Sequence, residues 1–255
     1  MTSTDTGSSS SSADPVPSGR DGRHGRRGPG RVLVTGGASG LGAAVVHAVL
    51  QAGGTPIVLD LDVSRVAEGV EAHQVDVSDS AAVEAAVTAA ADAHGGLDAV
   101  VTAAGIDTPA PLDGISTASW EAIVGVNLFG TVSTVRAALP HLKQSHGKVV
   151  TVASSLGIKA VGDATAYCAS KFGVVGFTRS LAAELKGVVG VTTLIPSGMA
   201  TRFFDARDEQ YKPQDDSRLQ DPADVADAVL YVLGMPPRSE IRELVVTHPE
   251  EDSWP

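Results

Sequence analysis

From residue 31 onward, short runs rich in Val, Ile, Leu and Thr alternate with longer Ala-rich stretches of helical spacing, and the alternation does not break. Strands are predicted at 32–35, 55–60, 73–76, 97–102, 148–153, 191–195 and 241–246. Helices are predicted between them at 41–51, 64–71, 80–94, 118–142, 164–185 and 222–233. Strands joined by helices run parallel, and such βαβ units close right-handed. The pattern predicts an α/β fold, a doubly wound, seven-stranded parallel sheet with helices on both faces. Hydrophobic residues make up 43% of the chain but aromatics only 4%, so the core must be built from Val, Leu, Ala and Ile. That composition suits a sheet buried on both faces. One domain is expected over residues 30–255, with ligands beyond the carboxyl ends of its strands.

Bulk properties narrow the partners. A formal charge of −11 leaves no basic surface for a phosphate backbone, so no nucleic-acid partner is expected. Nothing in the chain approaches the ~20 apolar residues needed to cross a bilayer, so no membrane partner is expected either. Residues 1–29 are Ser, Gly, Pro and Arg with few large apolar side chains, a composition that predicts a disordered tail. The tail carries Arg20, Arg23, Arg26 and Arg27 but lacks the apolar stretch of a secretory signal. Arg26-Arg27 is followed by a strand and a glycine-rich turn that the fold needs, which argues against a twin-arginine leader. The one cysteine, Cys168, excludes an intramolecular disulfide and fits a reducing, cytoplasmic compartment. The seven histidines show no metal-ligand spacing, so no metal is expected.

Between the first strand and the first helix stands Thr35-Gly36-Gly37-Ala38-Ser39-Gly40-Leu41-Gly42. Glycines there let the backbone turn sharply and approach a pyrophosphate, which the helix N-terminus then holds with free N–H groups. The predicted contacts are Gly36, Ser39, Gly40, Leu41 and Gly42. A sheet that binds a dinucleotide in this way is of the Rossmann type. Asp60 ends the second strand, followed by Leu61, where a carboxylate accepts hydrogen bonds from the adenosine ribose and repels a 2′-phosphate. Asp62 is its rival. Ser39 stands where a phosphate-binding cation would be needed, so NAD is expected in preference to NADP. Asp76 and Val77, after the third strand, belong beside the adenine.

A second constellation lies further along. In Tyr167-Cys168-Ala169-Ser170-Lys171 the phenol and the ammonium are four residues apart, on one face of a helix. A neighbouring cation is expected to lower the phenol's pKa and make Tyr167 an acid/base group. Cys168 points away and is expected to pack. Ser154, or its neighbour Ser155, ends the fifth strand and can hydrogen-bond a substrate oxygen where charge develops. Asn127 sits in mid-helix, where Asn is disfavoured, which implies a role beyond helix formation.

Together these residues resemble the compact, single-domain branch of the short-chain dehydrogenase/reductase family. The matching motifs are the TGxxxGxG turn, Asp76, Asn127, the Ser154/Tyr167/Lys171 set and the segment 196–201. The resemblance implies that Tyr167 is the general acid/base and that Lys171 tunes it and binds the nicotinamide ribose. Ser154 polarises the carbonyl; the family spacing selects it over Ser155. Asn127 holds a water that links Lys171 to solvent, and Pro196, Ser197 and Thr201 lie along the nicotinamide. It also implies a homotetramer or homodimer, and a small alcohol or carbonyl substrate.

Two positions depart from the family pattern. Its Asn-Ala-Gly reads Ala103-Ala104-Gly105 here, which removes a tie between strands that Thr102 is expected to restore. Its Pro-Gly reads Pro196-Ser197-Gly198, which is expected to bring the Ser197 side chain near the cofactor. The following stretch, 199–220, mixes Arg202, Phe203, Phe204, Arg207, Tyr211 and Lys212, and is expected to form a lid over the substrate. Arg202 and Arg207 hint at an anionic substrate. The expected activity is reversible hydride transfer between NAD(H) and a secondary alcohol or ketone. The alternatives are a non-catalytic NAD-binding sensor or scaffold, which would not need the Ser/Tyr/Lys/Asn set, and a sugar epimerase or dehydratase. The latter shares the Tyr/Lys pair but requires a larger substrate domain than the stretch after Pro196 can supply.

Overall fold

Alternate side chains of each strand enter opposite cores. Leu33, Ile57, Leu59, Val100, Val149 and Val191 enter one, and Val32, Val34, Val58, Val101, Val150 and Leu194 the other. Period-two placement of apolar residues on both sides is what a fully covered sheet demands. The computed structural model describes Met1 and residues 28–251. Apart from its ends the predicted tail, with its four arginines, lies outside the described residues, as do residues 252–255.

The strands are β1 (Arg31–Thr35), β2 (Thr55–Asp60), β3 (Glu71–Gln74), β4 (Ala99–Thr102), β5 (Lys148–Val152), β6 (Gly190–Pro196) and β7 (Glu243–Val246). They form one sheet of order β3-β2-β1-β4-β5-β6-β7 with every pairing parallel. The chain builds outward from β1 through β2 to β3, then crosses back to lay β4 on the other side of β1. This reversal opens a crevice beyond the carboxyl ends of β1 and β4, the expected ligand position in such sheets.

The helices are α1 (Gly40–Gln51), α2 (Ser80–His94), α3 (Thr117–Val124), α4 (Thr131–Ser145), α5 (Thr165–Glu184) and α6 (Pro222–Leu233). Residues of α1 and α6 cover one face; residues of α2, α4 and α5 cover the other. Asp79 caps α2 through the N–H groups of Ala81 and Ala82, and Asp221 caps α6 with Pro222 at its first turn.

Three expectations need correction. The helix predicted at 64–71 is only a 3-10 turn, Val63–Arg65, and β3 begins at Glu71 instead of residue 73. Gly69, at φ +84°, interrupts a segment too short to nucleate a helix. The helix predicted as continuous over 118–142 is α3 and α4 joined by a π-helical turn, Gly125–Gly130. Finally, Thr117–Ser145 is long and apolar enough by length and composition to cross a bilayer, against the expectation that nothing in the chain approaches that. Scattered Thr, Ser and Gly conceal its apolar character. Its helices pack against α2 and α5, as core helices do.

Candidate active site

A cleft of about 350 Å³ opens at the crevice. Gly36, at φ +70°, tucks beneath the end of β4: a Cβ there would lie 2.8 Å from the backbone of Ala104. Ser39 precedes α1 but makes no side-chain capping bond, and the first in-helix bond at this end runs from Ala43 N–H to Ser39 O at 3.0 Å. The first-turn N–H groups are thus left for an anion. Gly42 supports the turn from behind, since a Cβ there would collide with the Gly36 carbonyl. This cradle fits the pyrophosphate of a dinucleotide.

The Asp60 carboxylate is held by two backbone donors, Ala38 N–H at 2.9 Å and Asp62 N–H at 3.1 Å. Asp62 itself turns to Ser64 N–H at 3.0 Å, so Asp60, not its rival, lines the cleft. Asp76 lines it too, and accepts from the Ser78 N–H and hydroxyl at 2.9 and 2.7 Å. Leu61, Val77, Ala103, Ala104, Gly105, Pro196 and Thr201 join the wall, with Thr201 against the glycine turn.

At the far end lie Ser154, Tyr167 and Lys171. Tyr167 faces the Ser154 side chain, whose Oγ accepts from Leu156 N–H at 3.1 Å. Lys171 Nζ donates to the Val152 carbonyl at 2.9 Å and lies 5.6 Å from the Tyr167 ring centroid. Asn127, fully buried in the π-helical turn, clamps the loop after β4: its Oδ1 accepts from Ile106 N–H at 2.8 Å and its Nδ2 donates to Ile106 O at 3.0 Å. A Cβ on Gly105 would meet Asn127 Oδ1 at 3.4 Å and Lys171 Nζ at 3.7 Å, which shows how closely these groups gather.

Four sequence expectations change. Ser197 is buried and turned away from the cleft, where its Oγ accepts from Gln220 Nε2 at 2.9 Å. The Thr102 hydroxyl is buried without a hydrogen-bond partner among the described residues, so it does not replace the missing Asn. The tie is made instead by Thr35, whose Oγ1 accepts from Ala104 N–H at 3.3 Å. Neither Arg202 nor Arg207 is unpaired: Arg202 pairs with Asp205 at 3.2 Å and Arg207 with Asp107 at 2.7 Å.

The fourth change concerns the phenol. Burial pushes the Tyr167 pKa up to about 12, despite the Ser154 hydrogen bond that lowers it. The expected lowering by Lys171 does not prevail, because its Nζ faces the ring and the Val152 carbonyl. Burial also pulls Lys171 down to about 8, against the raising charge of Asp107. Both shifts register in folding stability. Between about pH 8 and 10.5 the unfolded chain holds the lysine proton and the folded one does not, so stability rises with pH there. Between 10 and 12 the folded chain holds the phenol proton and the unfolded one does not, so stability falls. Urea unfolding of wild type and Lys171→Met from pH 7 to 10 should show a rise of about 3 kcal/mol that the variant lacks. Parallel curves for the two proteins would refute the shift.

Sequence reasoning missed Asp107 and the packing of Phe203 on Tyr167, with ring centroids 5.9 Å apart. Asp107 follows Gly105-Ile106 just beyond β4, a position that could have marked it. Its partner, Arg207, is a hundred residues away and carries no motif. Cys168 is buried, and among the described residues no group of three or more His, Cys, Asp or Glu is arranged to hold a metal.

Comparison with known proteins agrees with this geometry. Residues 31–212 match the family described as short chain dehydrogenase. D-threitol dehydrogenase of Mycolicibacterium smegmatis is 38% identical over 187 residues, covering 67% of this chain and 70% of the relative. The (2S)-[(R)-hydroxy(phenyl)methyl]succinyl-CoA dehydrogenase subunit BbsD of Thauera aromatica is 32% identical, covering 78% and 87%. The 3-ketoacyl-(acyl-carrier-protein) reductase of Brucella melitensis, solved with NADH, superposes with a TM-score of 0.77 at 27% identity, covering 86% and 97%. The crevice at the sheet's reversal, the glycine turn and the Ser/Tyr/Lys end of the cleft accordingly belong to an oxidoreductase, and this chain is a member of the short-chain dehydrogenase/reductase family.

Proposed function

We propose that the chain catalyses reversible hydride transfer between NAD(H) and a secondary alcohol or ketone, with Tyr167 exchanging the proton. The observation that carries this reading is the gathering of Ser154, Tyr167 and Lys171 at the end of a cleft that starts on a phosphate-binding turn. A bound nicotinamide would supply or accept the hydride. Ser154 and Tyr167 can both donate to one carbonyl oxygen, which stabilises charge as it develops there. Burial keeps the Tyr167 proton in place at neutral pH, so the residue is set to donate it to a carbonyl. Alcohol oxidation needs the phenolate and should quicken as pH rises. The relatives named for D-threitol and for a hydroxyacyl-CoA support carbinol chemistry as the reaction class.

The test is a screen of sugars, polyols, steroids and hydroxyacyl compounds with NAD and NADP in parallel. Turnover that follows nicotinamide absorbance supports the reading. Tight cofactor binding with no turnover on any class would favour the sensor instead.

The preference for NAD rests on Asp60, whose carboxylate is pinned at the ribose end of the cleft. Asp60→Asn keeps an acceptor for Ala38 N–H but removes the charge. It should narrow the NADH-over-NADPH ratio by roughly tenfold or more in fluorescence titrations. A wild type that binds NADPH more tightly would overturn the preference. Thr201 on the glycine turn and Phe203 on Tyr167 support the reading of 199–220 as a lid. Exposed Phe129 and Phe172, on helical segments in contact with one another, support a homodimer or homotetramer. A cytoplasmic location completes the proposal, supported by the lone buried cysteine.

A further inference from the structure

The strand-rich half of the site is explained by the cofactor, but one charged pair at its substrate end is not. Arg207 Nη2 donates to Asp107 Oδ2 at 2.7 Å, and the two side chains are only 15% and 4% exposed. Such a pair is costly to bury and costly to break, because either partner alone would be a buried charge. It joins the 199–220 segment to the loop after β4. Tyr211 makes a second fastening close by, its hydroxyl donating to Asp163 Oδ2 at 2.9 Å.

The pair also reaches the reacting groups. The Arg207 guanidinium lies over the Phe203 ring, 5.1 Å from its centroid, and over Phe204 at 4.7 Å. Phe203 in turn packs on Tyr167. A contact chain thus runs from Asp107 through Arg207 and Phe203 to the phenol. The pair is a half-made fork. Nη2 has its oxygen, while Arg207 Nε and Asp107 Oδ1 are buried with no hydrogen-bond partner among the described residues. A fork closed on one leg holds less tightly than a bidentate pair, which suits a fastening that has to open.

We propose that Asp107 and Arg207 form a latch that fastens the 199–220 segment over the substrate end of the cleft, and that Arg207 is a positioning residue that seats Phe203 against Tyr167. The proposal rests on the lid reading given above. When the latch opens, Asp107 loses Arg207 and faces only the charge of Lys171, so it takes up water, and lid opening and wetting of Tyr167 are coupled. Arg207 is neutralised by Asp107, so the substrate part that reaches this end is uncharged.

The test needs no substrate. The full chain is digested with limiting trypsin, alone and with NADH, and its three tyrosines are followed by NMR with ¹³C-labelled tyrosine, Tyr167 being assigned by Tyr167→Phe. Asp107→Asn leaves every tryptic site intact and should speed cleavage within 199–220 by roughly tenfold or more while shifting the Tyr167 signal. Arg207→Lys keeps the charge and should restore part of both. Phe203→Leu should move the Tyr167 signal and leave cleavage at the wild-type rate, which separates positioning from fastening. If Asp107→Asn does not fold, Arg207→Lys decides, with cleavage faster than wild type expected. Wild-type cleavage and an unmoved Tyr167 signal in the folded variants would overturn the latch. These readouts are independent of turnover: a latch that opens in Asp107→Asn on a protein that oxidises nothing would spare the latch and sink the dehydrogenase reading.

Discussion

Tyr167→Phe is expected to cut turnover by roughly a thousandfold while leaving NADH affinity within a fewfold of wild type. The phenylalanine keeps the ring that packs on Phe203 and the buried volume of the site, and removes only the hydroxyl that reaches Ser154. General acid–base contributions usually fall between about a hundredfold and ten-thousandfold, and this hydroxyl is the proton donor best placed at the closed end of the cleft. Steady-state rates on any substrate found in the screen, with cofactor binding measured by fluorescence, separate the two effects. A variant that retains most of its activity would assign the proton to another group.

Gly42→Ala is expected to have the second largest effect, on cofactor binding and on folding together. The added methyl would strike the Gly36 carbonyl, which belongs to the turn itself and cannot swing aside as a flexible side chain would. Either α1 shifts or the turn opens, and in both cases the cradle loses its shape. Overpacking of this kind typically costs about 1–3 kcal/mol. Thermal unfolding should fall by several degrees, and NADH affinity by roughly tenfold or more. A contrasting position is Gly53, also at positive φ but with nothing near its Cβ; substitution there should strain the backbone without touching the cleft.

The sheet was legible because its signal is local. Each strand is a short apolar run between turn residues, and the two-sided burial of Val and Leu follows from period-two placement. That the strands run parallel followed from the helices that join them, while their order emerged only in the structure. What failed was also local: Gly69 broke a helix that composition alone favoured, and the π turn around Asn127 left no mark in the spacing. In the site, residues fixed to strand ends or one helix face were readable, since Tyr167 and Lys171 stay neighbours wherever α5 packs. Ser197 was misread because a side chain at a strand end can point to either face. The Tyr167 pKa was misread because sequence supplies the nearby cation but not the depth of burial, and burial outweighs it here. Asp107 and Arg207 meet only through the tertiary path of the 199–220 segment, and no spacing rule predicts that encounter.

Labelled hydride is the most direct measurement. Reduction of a ketone accepted in the screen, with NADH carrying deuterium at both hydrogens of its reactive carbon, should place one deuterium on the new carbinol carbon in the wild type. Tyr167→Phe should give almost none in the same time. An alcohol product without deuterium, or equal transfer by both proteins, would contradict hydride transfer governed by Tyr167.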